Sequence, residues 1–272
     1  MINRAKLAIL DMNNGYPNQG MRCLNDIARM FADEIEYDVF SVRDKNEMPD
    51  LSYDIYISSG GPGSPLIMGE EWEFNFHNLI DDIFLFNQSD KEQKKYMFFI
   101  CHSFQLACAY FGLGQLTMRK STSFGIHPVH KTPAGYKDPI FRELPDPFYV
   151  VESRDWQVVQ PDLAMFEKKG CKIIGLEKIR THVDLERAIM AVRFSEEMVG
   201  TQFHPEADPE GFVKHLETDD AKFKIIKQYS EEKYYRTLAQ AGNPQKIEVT
   251  YNGILPVFLR NCLKEIHSLS LA

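Results

Sequence analysis

The chain has 272 residues, 44% hydrophobic and 26% charged, enough to bury one large core or two small ones. Its formal net charge of −8 excludes the basic footprint of a nucleic-acid binder and of a protein held to an anionic membrane surface. No apolar run approaches the roughly 20 residues that a membrane helix needs, and the first 15 residues lack a leader-peptide cleavage pattern.

In chain order, short apolar runs alternate with longer amphipathic ones. Residues 7–12 read as a strand and 19–35 as a helix, with Met21, Leu24, Ile27 and Phe31 near one face. Residues 37–42 and 55–58 read as strands, 70–86 as a helix, and 96–100 as a buried strand running into a helix at 103–111. This alternation predicts an α/β fold built on an open, mostly parallel, helix-flanked sheet. From residue 115 the character changes. The runs 148–152, 171–176, 189–194 and 198–203 read as a second, small set of antiparallel strands, the last two forming a hairpin around Ser195-Glu196-Glu197. Residues 210–238 are charge-rich and helical, Gly242-Asn243-Pro244 breaks them, and 254–266 reads as a final helix. The expected organisation is one domain over residues 1–206, with a helical extension, 207–272, packed on it.

Three features carry chemistry. Cys101 ends the apolar run Phe98-Phe99-Ile100, where a strand turning into a helix presents a thiol to the helix N-terminus, which favours the thiolate. A buried packing cysteine is the plainer reading, and it fits Cys108. The five cysteines (23, 101, 108, 171 and 262) are odd in number and contain no Cys-x-x-Cys pair, so a reducing, cytoplasmic setting is expected. Ser59-Gly60-Gly61-Pro62-Gly63 lacks the ending of a phosphate loop; it reads either as a tight turn or as a loop whose amides can face an oxyanion. His204 and Glu206 flank Pro205 at i and i+2, so on extended chain they share a face, as an exposed ion pair or as an oriented base. His127 and His130 are three apart with no carboxylate at ligand-like spacing, so neither metal nor cofactor is expected.

Taken jointly, Gly60-Gly61-Pro62-Gly63, Cys101 at its elbow and Gly200-Thr201-Gln202-Phe203-His204-Pro205-Glu206 resemble the class I glutamine amidotransferase family, in the family's order, over roughly residues 6–206. The flavour is closest to amidotransferase domains of the GMP synthetase type. The resemblance implies Cys101 as nucleophile, His204 as general base and acid, and Glu206 as the residue orienting it. It implies the amides of Gly61 and His102 as oxyanion donors, Gly63 and Gln105 at the substrate pocket, and Ser153 and Arg154 near the amino-acid end of glutamine. The implied activity is glutamine hydrolysis through a cysteinyl thioester, with ammonia passed to a separate synthetase partner. A stand-alone hydrolase or amidase of γ-glutamyl compounds and a catalytically silent binding module are the alternatives, and a homo-oligomer is compatible with any of them.

Two departures stand out. The family elbow is Gly-x-Cys-x-Gly-x-Gln, whereas this chain has Phe99 and Ser103 at the glycine positions. Small residues ease a strained turn, so Phe99 is expected either to repack the elbow or to crowd the thiol. The chain also runs 66 residues beyond Glu206, more than the family's usual short tail, which points to a lid, a docking surface or a dimer element.

Overall fold

The computed structural model describes residues 4–16, 18–179 and 186–270. Its strands are β1 (Ala5–Asp11), β2 (Ile35–Ser41), β3 (Ile55–Ser58), β4 (Tyr96–Ile100), β5 (Gln115–Lys131), β6 (Phe148–Val159), β7 (Lys172–Glu177), β8 (Ile189–Arg193) and β9 (Met198–Thr201). The helices α1 (Gln19–Arg29), α2 (Val42–Lys45), α3 (Glu71–Gln88), α4 (His102–Tyr110) and α5 (Leu163–Lys169) fall between strands. The helices α6 (Pro209–Leu216), α7 (Asp219–Gln228), α8 (Glu231–Ala241), α9 (Pro244–Gly253) and α10 (Leu255–Ser270) follow them.

Among the described residues, nine strands join one sheet in the order β2-β1-β3-β4-β9-β8-β7-β5-β6. The half from β2 to β9 is parallel, and the half from β9 to β6 is antiparallel. The expected antiparallel set therefore extends the main sheet. β4 lies near the centre, and its side chains divide between two cores. Phe98 and Ile100 enter one with β1, α1 and α10; Met97 and Phe99 enter the other with α3 and α4. Burial on both faces is why the strand is apolar throughout.

The predicted 19–35 helix stops at Arg29, and Ile35 instead opens β2. Asn18 starts that helix by accepting the Met21 amide at 2.8 Å, and its buried stripe is Met21, Leu24, Ile27 and Ala28. The stretch read as helical at 210–238 is three helices, because Thr218 and Ser230 cap new starts through their hydroxyls. α5 lies where no element was predicted, β5 was expected only as extended chain around His127 and His130, and the 148–152 strand extends to Val159. The 189–203 hairpin forms as expected, as β8 and β9. Among the described residues no helix is long and apolar enough to cross a membrane.

Candidate active site

β4 delivers Cys101 at the carboxyl end of the parallel half, where ligands bind in open α/β sheets. The residue turns at φ 49° and ψ −99° and is the N-cap of α4. A positive φ on a side chain larger than glycine is strained, and three hydrogen bonds hold it. The Cys101 amide donates to Thr201 O at 2.8 Å, Gln105 N donates to Cys101 O at 3.0 Å, and Ile100 N donates to Ser103 Oγ at 2.9 Å. Ser103 Oγ in turn lies 2.9 Å from the Ser58 carbonyl, its acceptor on β3. The serine at the family's glycine position thus ties the elbow to the neighbouring strand.

Phe99 does not crowd the thiol. Its ring packs edge-on against Phe76 and Phe194 in the core beneath α3 and α4. The space comes from Gly200, its register partner on β9, where an added Cβ would stand 2.9 Å from the Phe99 Cβ. A glycine one strand away replaces the glycine missing from the elbow.

His204 and Glu206 follow β9. The His204 amide bonds the Val151 carbonyl of β6 at 3.0 Å, and Nδ1 lies 2.8 Å from Glu206 Oε1. With the carboxylate accepting from Nδ1–H, Nε2 is the nitrogen left for the thiol. Burial opposes a charge on the ring, but the Glu206 carboxylate and the Cys101 sulfur outweigh it and hold His204 well above its ordinary value. Glu206 is 2% exposed, and its Oε2 has no hydrogen-bond partner among the described residues.

Cys101, His204, Glu206, Gly61 and Ser153 all line one cavity of about 730 Å³. The other expected site residues take different places. Gly63, at φ 93°, is outside the wall, beside Arg43. Arg154 is buried and paired with Glu152 at 2.9 Å, because alternate residues of β6 face opposite ways and Ser153, with Val151, faces the cavity. Gln105 is buried, its Nε2 bonded to Gln202 Oε1 at 3.1 Å. The His102 ring is buried away from the cavity and, by burial first and Arg43 second, is pushed down to about 3, so it is neutral; its backbone amide opens α4. His127 and His130 of β5 face apart, the first on the Phe124 carbonyl and the second beside Asp146.

Sequence reasoning placed Gly60 in its loop but missed its contacts, and it missed much of the cavity wall. A Cβ on Gly60 would come within 2.9 Å of His204 Cε1 and 3.4 Å of Cys101 Cβ, so this glycine lets the ring and the thiol share one space. Gly61 packs under the same constraint, since a Cβ there would meet the Met12 carbonyl at 2.3 Å. Tyr16, Cys23, Phe124, Phe212 and His215 complete the wall from α1, β5, α6 and the loop after β1. They come from distant segments that no local motif connects.

Fold and site define an open α/β protein with a thiol at a strand–helix elbow facing a histidine–carboxylate pair. The profile of the class-I glutamine amidotransferase family matches residues 20–222, and the chain belongs to that family. A glutamine amidotransferase from Thermotoga maritima shares its fold with a TM-score of 0.71 at 18% identity, over 96% of this chain and 99% of that one. A Thermoplasma acidophilum protein proposed to be a GMP synthase subunit superposes with a TM-score of 0.55 at 15% identity, over 98% and 96%. A glutamine amidotransferase from Methylobacillus flagellatus gives 0.56 at 12%, over 98% and 94%. No curated protein sequence matches the chain.

Proposed function

We propose that the protein hydrolyses the side-chain amide of glutamine through a Cys101 thioester and passes the ammonia to a separate synthetase partner. The observation that carries this reading is that Cys101 lines one cavity with His204 and Glu206, whose Nδ1 and Oε1 are 2.8 Å apart. His204 takes the thiol proton, and the sulfur attacks the amide carbon. Amides of the glycine loop and of His102 face the oxyanion, a donor set in which one member is typically worth about 2.7–4 kcal/mol of barrier. The proton returns from His204 to the departing nitrogen, and water, deprotonated by the same ring, cleaves the thioester to glutamate. The five unpaired cysteines support a reducing compartment such as the cytoplasm. In this reading residues 207–270 form a helical extension of the domain.

One observation favours a second substrate class. A cavity of about 730 Å³ is of the size that holds a drug-sized ligand and exceeds what free glutamine fills. A γ-glutamyl amide with a larger amine would use that space and need no synthetase.

The test is ammonia release from glutamine by wild type and by Cys101→Ala. A loss of at least about a thousandfold is expected; equal rates would sink the cysteine mechanism. A strong preference for γ-glutamyl amines over glutamine would replace the ammonia-donor reading with the second.

A further inference from the structure

The strand end that carries His204 also carries Gln202, two residues earlier and therefore on the same side of extended chain. Gln202 is fully buried, anchored by its own amide on the Met190 carbonyl of β8 at 2.8 Å. Its Nε2 lies 3.9 Å from Cys101 Sγ, within reach of a sulfur acceptor. Its Oε1 is occupied by Gln105 Nε2 at 3.1 Å. Gln105 sits in the first turn of α4, one turn beyond Cys101, and is itself 3% exposed.

This chain of contacts has a direction. A thiolate can only accept hydrogen bonds, whereas a side-chain amide can turn either end towards it. Gln105 takes the oxygen end of Gln202 and leaves the NH₂ end for the sulfur. Resting on the reading of Cys101 as the nucleophile, we propose that Gln202 is a second donor to the Cys101 thiolate. Gln105 is the positioning residue that keeps it donating, and the pair sets how much of the thiol is ionised near neutral pH. A hydrogen bond to an ionised acceptor is stronger than one to a neutral acceptor, and more so in a buried site.

The experiment is the pH dependence of iodoacetamide alkylation at Cys101, followed by mass spectrometry of the Cys101 peptide. Wild type is compared with Gln202→Met and Gln105→Met, each of which keeps length and removes the amide. Gln202→Met is expected to move the alkylation midpoint upward by about one pH unit, a tenfold slower reaction on the acid side. Gln105→Met should move it the same way by less. A folded Gln202→Met protein with an unmoved midpoint overturns the proposal, even if turnover falls, because a packing defect alone would not change ionisation. Should Gln202→Met not fold, the Gln105→Met midpoint decides by the same criterion. Wild-type Cys101 reacting no faster than buried Cys262 would overturn the nucleophile reading as well. Fast wild-type reaction with unmoved variants would overturn this inference alone.

Discussion

At the scale of single residues, the contact on which the site turns is that between His204 and Glu206. Burial alone would lower the ring's proton affinity, so its raised value is owed to the carboxylate first and the sulfur second. Glu206→Gln removes the charge and keeps the shape. Its His204 should titrate at least about one pH unit lower by NMR of the ring C2 proton, and turnover should drop about 10- to 100-fold. The linkage has a definite sign. A histidine held above its unfolded value of about 6.5 contributes stability that is full below that pH and is lost as pH rises through the folded value. In Glu206→Gln this alkaline decline should flatten in urea-unfolding series. Unchanged titration would mean that the carboxylate does not hold the proton. The proposed trio of Cys101, His204 and Glu206, which the fold brings to one cavity, was legible because Cys101 and His-Pro-Glu are local strings. The contacts of Gly60 and Gln202 and the inward turn of Gln105 were not, because each involves a partner brought close only by the fold.

At the scale of elements, strands buried on both faces announce themselves most clearly. β1, β3 and β4 read correctly because parallel central strands are apolar at most positions. Most of β5 escaped because Lys120, Ser121 and Ser123 interrupt its pattern and its pairing with β6 shifts between Met118 and Ser123. The elbow shows the same limit. Phe99 was read against a family glycine on its own strand, whereas the compensation is Gly200 on the next strand, a register relation that no single segment reveals. Phe99→Ala is therefore expected to destabilise by about 3–5 kcal/mol in urea unfolding, as for large-to-small core changes. The kcat/KM of the folded fraction should stay within about threefold. A rise in kcat/KM with little loss of stability would show instead that the ring crowds the thiol.

At the scale of the whole molecule, the question is what the last 66 residues do for the site. α6 supplies Phe212 and His215 to the cavity wall, and Asp208, at its N-cap, pairs with Arg22 of α1. α7 and α8 bury Ile225 and Tyr234 against Ile126 and Val151 of β5 and β6. α10 reaches deepest. Phe258 stacks edge-on against Phe98 of β4 at 5.2 Å, and Leu255, Leu259 and Leu263 are buried in the same core. The strand that aims Cys101 thus rests on the end of the chain. A lid or detachable docking arm would pack through polar, half-exposed contacts, whereas α10 packs through fully buried aliphatic and aromatic ones. Leu259→Ala should accordingly cost about 2–5 kcal/mol in a single cooperative transition that carries the proposed activity with it. Removing residues 254–272 should abolish cooperative unfolding altogether. If the shortened protein kept a sharp urea transition and its activity, the terminal helix would be an appendage, and the core beneath β4 would have to close without it.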